Sequence, residues 1–463
     1  MEKPNIVLIT CHDLGRHINT YGVSTVSTPF MNKIARDGLK FNNIFCTSPG
    51  CSPSRASLAT GRYPHSNGVM GLAHADFGWD LKKDEEHIAT ILENEGYETI
   101  LFGLQHITYK PERLGFKKIY NDPPSYGTLK KVISEATKKT GEALEKEVSL
   151  WKGPPSEADN VIKNITDFLE RYDYDKPFYF EINFFEPHRP FNYGGVKPYD
   201  LDGVFVPGYI PDIKECREEL SAFQGAIQKV DDSVGQIQNL LENAGVLDET
   251  LLIFTTDHGI AFPRAKGTLY DPGIEIVLLM RWPLGGLTGG KTYDHLISNI
   301  DILPTILDII RIEKNNKIQG KSFNNLIQGK NYKPRKYIYA EKTNHCLYDP
   351  IRCVKTKDHK LILNFENNAE PEVPSDITEG ETYKAMVNSL RNTRQRLELY
   401  DLKKDRWEKN NVISDQEYSK IKVKLLKKLI SWMEKTKDPL LQAPIPSPHY
   451  MKTLEFIRTI KDI

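Results

Sequence analysis

Cysteine is scarce in this chain, and what there is has no pattern. The six cysteines (11, 46, 51, 216, 346 and 353) form no Cys-x-x-Cys pair, which argues against a disulfide framework or a structural zinc site; they read as mostly reduced thiols. Net charge is also missing. Lys plus Arg and Asp plus Glu each number 62, so bulk electrostatics draws the chain to neither nucleic acid nor a membrane surface, and basic character must be local to a pocket. No apolar run is long enough to span a bilayer, and no positively charged leader precedes the strand pattern that starts at Asn5. As given, the chain reads as cytoplasmic, or as one whose leader has been removed. No internal repeat is visible, and nothing specifies an oligomeric state. What remains is an ordinary globular composition over 463 residues, with room for a sizeable core and about two or three domains.

Strand and helix signals alternate through the first part. Asn5 to Thr10 is a continuous apolar run of the kind buried in a parallel sheet, ending in Cys11-His12-Asp13-Leu14-Gly15. Thr28-Pro29 opens a helix that Gly38 closes, and Leu39 to Phe45 reads as a strand. Asp84 to Glu95 reads as a helix and Tyr97 to Phe102 as a strand ending in Gly103-Leu104-Gln105-His106. After a Gly-, Pro- and Lys-rich excursion over about 110–155, Ser156 to Tyr172 is a helix, and Pro177 to Phe185 a strand ending in Glu186-Pro187-His188-Arg189-Pro190. A long helix within Glu218 to Ala244 precedes the strand Thr250 to Thr256, which ends in Asp257-His258-Gly259, and Glu275 to Met280 is a further strand. Asn299 to Ile312 is a helix, and Tyr337 to Ala340 reads as the last strand of this part. Beyond it come short strands without intervening helices (Ile351 to Val354, Lys360 to Asn364, Leu397 to Tyr400) and a Lys-rich amphipathic helix, Tyr418 to Thr436, whose lysines are most simply a solvated face. The pattern predicts an α/β catalytic domain over residues 1–345, with a mostly parallel sheet flanked by helices, and a smaller α+β domain over 346–463. Asn164-Ile165-Thr166 is a glycosylation sequon by pattern only, inside a predicted helix.

In a parallel sheet the carboxyl ends of the strands share one edge, where distant polar clusters converge. A lone Asp at a strand end is more often a cap than a ligand. Two Asp-His pairs on one edge, His12-Asp13 and Asp257-His258, point to a divalent metal site. Oxygen donors suit Ca²⁺ or Mg²⁺, whereas imidazoles lean to Mn²⁺ or Zn²⁺. His106 and His188, each after an apolar strand at that edge, are candidates for acid or base work. Lys266, a short loop beyond Asp257, can reach the same place.

Cys51-Ser52-Pro53-Ser54-Arg55 continues as Ala56-Ser57-Leu58-Ala59-Thr60-Gly61-Arg62. Ser52 reads as an N-cap, Pro53 as the first helical residue and Gly61 as the stop, which puts Cys51 just outside a helix N-terminus that favours an anion, with Arg55 one turn in. The plain reading is a small buried Cys. A cysteine-phosphatase nucleophile would want Arg where Ser57 stands.

The third reading is a resemblance. Cys-x-Pro-Ser-Arg followed by Leu58, Thr60-Gly61 and Arg62 resembles the type I sulfatase signature, whose Cys is oxidised to formylglycine. The similarity runs from Asn5 to about the Asn299-Ile300-Asp301-Ile302-Leu303-Pro304 segment, with a weaker echo in Leu399-Tyr400-Asp401-Leu402. It is greatest with the heparan N-sulfatase branch, through His65-Ser66-Asn67-Gly68, Pro187-His188-Arg189 and the Phe262-Pro263 approach to Lys266. The resemblance implies an alkaline-phosphatase/sulfatase-like fold and a sulfatase acting on sulfated saccharides, with the glucosamine N-sulfate of heparan or heparin as substrate. It also implies a maturation enzyme as partner and one divalent ion, calcium in the family. It makes Cys51 the formylglycine, Arg55 its binder, Asp13, Asp257 and His258 metal ligands with His12 beside them, His106, His188 and Lys266 sulfate-pocket residues, and Arg189 a contact to the sugar. In the implied mechanism the formylglycine hydrate attacks sulfur, His188 protonates the leaving nitrogen and His106 takes a proton from the second hydroxyl. Two positions depart from the family pattern. His12 stands where it has Asp, and Leu104 where it has Lys, which removes one anion from the metal site and one cation from the sulfate pocket. Competing readings are an O-sulfate ester sulfatase, a phosphoryl-transfer relative with Cys51 unmodified, and an anion- or carbohydrate-binding protein that has lost turnover.

Overall fold

The computed structural model describes residues 3–73, 75, 77–120, 156–368, 370–391 and 394–461. Most of the excursion over 110–155 therefore lies outside the described residues.

The run Asn5–Cys11 (β1) is buried at every position and forms the middle of the larger sheet. Its other strands are β2 (Leu39–Phe41), β3 (Glu98–Gly103), β4 (Lys118–Tyr120), β5 (Phe178–Phe184), β6 (Thr250–Thr256), β7 (Leu278–Arg281) and β8 (Lys291–Tyr293), in spatial order β4-β3-β5-β1-β6-β7-β2-β8. The first five in that order run parallel. β7 is antiparallel to both β6 and β2; an apolar run signals burial but not direction, so the sheet is mixed. The single strand expected over Leu39 to Phe45 is two. β2 joins the large sheet, and after Asn42-Asn43 the pair Ile44–Phe45 bonds instead with Ile297–Ser298.

Side chains alternate across the sheet and feed two cores. Val7, Ile9 and Cys11 face a core shared with α1 (Pro29–Asp37), α3 (Glu157–Leu169) and the 30-residue α4 (Lys214–Asn243). Ile6 and Leu8 face the other, with α2 (Cys51–Thr60) and the helix Ile302–Ile309. Each such side chain contributes about 1.5–3 kcal/mol by leaving water.

The strand expected at Tyr337 to Ala340 is longer and sits elsewhere. β9 (Ile338–Asn344) pairs antiparallel with β10 (Tyr348–Lys355), which continues to β11 (His359–Asn364) and β12 (Leu397–Asp401). It is thus an edge of the small sheet rather than the last strand of the large one. α5 (Ser419–Thr436) packs Leu425, Leu429, Trp432 and Met433 against Val354, Leu361 and Leu399 of that sheet, leaving its lysines outward. No helix among the described residues is long and apolar enough to cross a membrane.

Candidate active site

β1, β3, β5 and β6 end on one edge, and the polar residues after them meet there. The His12 ring centroid lies 5.2 Å from that of His106 and 5.6 Å from that of His188. Asp13 and His106 both take a left-handed backbone, with φ of 53° and 63°.

α2 begins two residues earlier than the Ser52 cap predicts. Gly50 is the N-cap, in extended conformation, so Cys51 is the first helical residue and not an outsider to the helix, while Gly61 stops it in the left-handed region as expected. All ten residues are buried; Ser57 Oγ has no hydrogen-bond partner, and the other polar side chains are engaged inside. Ser52 Oγ accepts from the Ala73 N–H, Ser54 Oγ donates to the Asp257 carbonyl, and Thr60 Oγ1 donates to the Ala56 carbonyl. Arg55 donates from Nε to Asp257 Oδ2 (3.2 Å) and from Nη1 to Asn183 Oδ1 (2.9 Å), leaving Nη2 buried with no hydrogen-bond partner.

Asp13 and Asp257 lie back to back. The Asp13 N–H donates to Asp257 Oδ1 at 3.0 Å, as does the His258 N–H at 2.8 Å. His12 Nδ1 is 3.2 Å from Asp257 Oδ2, and His258 Nε2 is 3.1 Å from Asp13 Oδ1. Ligand atoms of His12, Asp13 and Asp257 lie within 4.8 Å of one another, as do those of His12, Cys51 and His106. Gly259 has no substitute at its position, because a Cβ would come within 1.8 Å of the Pro272 carbonyl oxygen. These residues can hold a divalent cation. Burial, with Arg55, His106, His188 and Lys266 around it, keeps the His12 imidazole well below its usual pKa, hence neutral as a ligand must be.

On the other side of Asp13, Lys266 Nζ donates to Asp13 Oδ2 and to Asp376 Oδ2, both at 2.8 Å, and stands 3.2 Å from His188 Nε2. Burial alone would lower the Lys266 pKa; Asp13 and Asp376 outweigh it and hold the ammonium charged. His188 Nδ1 lies 2.6 Å from the Arg189 carbonyl, which can only accept, so Nδ1 carries the ring proton. Burial, then Lys266, lowers the His188 pKa, with Asp13 and Asp376 opposing. The Cys51 thiol is pushed by burial up to about 12 against the pull of Lys266 and Arg55. It therefore offers almost no thiolate at neutral pH, which disfavours a nucleophilic unmodified Cys.

Arg189 corrects the sequence reading. Its Nε and Nη2 donate to the Ala261 carbonyl (3.0 and 2.9 Å), its Nη1 pairs with Glu219, and its guanidinium lies 4.5 Å from the Phe191 ring centroid. It is 5% exposed. Its donors are committed to the fold, and the carboxylate it meets is the buried Glu219 of α4 rather than a sugar. Sequence reasoning missed Asn183, although a polar Glu-x-Asn inside the apolar β5 was a usable signal. It also missed Asp376, on the short helix Ser375–Thr378, and the buried His345, whose Cδ2 faces Gly50 at the head of α2; neither sits in a recognisable spacing.

The sulfatase family profile matches residues 4–312, and that of N-sulphoglucosamine sulphohydrolase, C-terminal, matches residues 264–379. The chain is 28% identical to an ulvan-active sulfatase of Formosa agariphila, covering 96% of this chain and 83% of the relative. It is 27% identical to human N-sulphoglucosamine sulphohydrolase, covering 95% and 92%. Among solved structures, one in complex with its substrate D-glucosamine-2-N,6-O-disulfate superposes with a TM-score of 0.69 at 19% identity, covering 96% of this chain and 99% of that one. That likeness bears out the expected fold.

Proposed function

Because the chain belongs to the sulfatase family, we propose that this sulfate-releasing hydrolase acts on sulfated saccharides and takes the sulfate from the nitrogen of a glucosamine of heparan or heparin type, with residue 51 working as formylglycine. One observation carries the choice of N-sulfate: the match to the C-terminal part of N-sulphoglucosamine sulphohydrolase spans 264–379, and so includes both Lys266 and Asp376. Arg189 contributes nothing to that choice.

Each residue has a task that its position allows. Formylglycine, made from Cys51 by a maturation enzyme of the host and hydrated, supplies the nucleophilic oxygen. Arg55 Nη2, buried and unspent, binds that oxygen while Nε and Nη1 hold the guanidinium on Asp257 and Asn183. A divalent cation on Asp13, Asp257, His258 and His12 supplies Lewis-acid polarisation at the same edge. Lys266 faces the sulfuryl oxygens, where a fixed ammonium in a dry site is worth several kcal/mol to the transition state. His188 has the place of the acid for the leaving nitrogen, and His106, beside residue 51 and His12, that of the base.

Peptide mass spectrometry of protein from a competent host should show an aldehyde at residue 51 that reacts with hydrazide. Initial rates on N-, 6-O- and 2-O-sulfated glucosamine saccharides decide the substrate. The N-sulfate should turn over fastest, and faster release from either O-sulfate would assign the chain to ester cleavage.

A further inference from the structure

The resemblance implies calcium at the Asp13–Asp257 centre, and the donor atoms gathered there do not suit it. Calcium is a hard cation that collects about six to eight oxygens. Among the described residues the carboxylates that meet the two imidazoles are Asp13 and Asp257, Asp376 being taken by Lys266, and three of their four oxygens already accept hydrogen bonds: Asp13 Oδ2 from Lys266, Asp257 Oδ1 from two backbone N–H groups, and Asp257 Oδ2 from Arg55. Only Asp13 Oδ1 is buried with no hydrogen-bond partner.

The nitrogens are the atoms left waiting. His258 Nδ1 lies 3.0 Å from the Gly259 carbonyl. A carbonyl only accepts, so Nδ1 carries the proton and Nε2 presents a bare lone pair. That Nε2 is 3.1 Å from Asp13 Oδ1 and 3.8 Å from Asp257 Oδ1, in an arrangement that makes no hydrogen bond. A fully buried acceptor facing acceptors is costly unless a cation lies between them. His12 adds a second buried imidazole, with Nδ1 3.2 Å from Asp257 Oδ2 and neither ring nitrogen hydrogen-bonded.

We propose that this centre selects a first-row transition-metal ion, zinc, over calcium, with His12 and His258 as nitrogen ligands beside Asp13 and Asp257. Two imidazoles and two carboxylates are a borderline set that suits zinc, and the general order of stability places zinc above manganese and iron(II) for such donors. The inference rests on the metal reading given above and not on the identity of the sugar.

Full-length protein, stripped with a chelator, is titrated separately with Zn²⁺, Mn²⁺ and Ca²⁺ while the thermal midpoint is followed, and with Co²⁺ as a visible-absorbing stand-in for zinc. One Zn²⁺ should bind per chain at least about 100-fold more tightly than Ca²⁺, and Co²⁺ should give the intense visible bands of a nitrogen-ligated, four-coordinate ion. His258→Asn should weaken Zn²⁺ binding by more than the about 10–100-fold that loss of an outer contact costs, with Ca²⁺ binding unchanged or improved. Equilibrium dialysis of the unmutated protein against equimolar Zn²⁺ and Ca²⁺, read by elemental analysis, gives the answer without any variant. Calcium taken up in preference from that mixture, or zinc binding indifferent to both His12→Asn and His258→Asn, would overturn the proposal. None of these readouts uses sulfate release, so failure of the substrate reading and failure of this one are told apart.

Discussion

Around Arg352 on β10, every donor has somewhere to go. Its Nε and Nη2 bind Asp438 at 2.6 and 3.1 Å, and its Nη1 reaches the carbonyls of Lys342 and Ile351 and the Thr343 hydroxyl. Glu341 adds a contact to Arg352 Nε at 3.2 Å and takes both the N–H and Nδ1 of His65. Around Asp13 the charge is as dense and the burial as deep, yet Asp13 Oδ1, both ring nitrogens of His12, His258 Nε2 and Arg55 Nη2 make no hydrogen bond. The first cluster leaves a single one of these atoms unmatched, His65 Nε2, and ties the small sheet to the segment after α5. The second is complete only with groups that the polypeptide does not supply. Buried charge by itself thus identifies neither architecture nor chemistry; the unmatched atoms do.

If that contrast holds, substitutions in the two clusters should move different observables. The largest effect is expected for Cys51→Ala, which should lower sulfate release by about 10⁴-fold or more while the thermal midpoint moves by about 3 °C or less. A collapsed midpoint would break the contrast, because residue 51 would then be holding the fold. Asp13→Asn keeps the shape of the side chain and its tolerance of the left-handed backbone. It should reduce release by about 10²–10³-fold together with bound metal, and elemental analysis showing undiminished metal would remove Asp13 from the ligand set. Arg352→Met should do the opposite. Leaving Asp438 and Glu341 without their cation costs about 3–5 kcal/mol, read in urea unfolding, with kcat of the folded fraction unchanged.

The smallest effect sharpens the comparison inside the site itself. If His188 delivers a proton, its imidazolium must be present, and burial with Lys266 holds its pKa below the ordinary His range. The protonated fraction falls about tenfold per unit of pH above that lowered value. kcat/KM for the N-sulfate should therefore decline as pH rises through the range below neutrality and beyond. A small aryl sulfate, whose leaving group needs no proton, should not follow. Asp376→Asn removes a carboxylate that raises the His188 pKa, and should shift the falling limb to lower pH. Parallel profiles for the two substrates would take the acid role from His188.

How much of this could be read beforehand differs residue by residue. The convergence of His12, Asp13, His106, His188 and Asp257 was legible, because each follows an apolar run in a parallel sheet and topology then fixes the edge. The direction of β7 was not, since hydrophobicity carries no polarity. Nor was the fate of Arg189, whose placement after His188 suggested a ligand contact; Glu219, thirty residues on in α4, and the Ala261 carbonyl claim it first. Asp376 and His345 come from the segments around the small sheet, and no local pattern announces a residue that reaches its neighbours only through tertiary packing.

The left-handed turn at Asp13 has a geometric consequence. Consecutive side chains leaving a strand normally point to opposite faces, so His12 and Asp13 should not serve one centre. With φ at 53° the chain doubles back at the strand's end, and both side chains swing to the same rim like the two jaws of a pincer. Asp is among the few residues that visit this conformation without large strain. Position 13 is thus selected twice, once for its charge and once for its backbone, and the two demands can be separated. Gly would keep the pincer's hinge and lose one jaw, whereas a β-branched residue would lose the hinge itself.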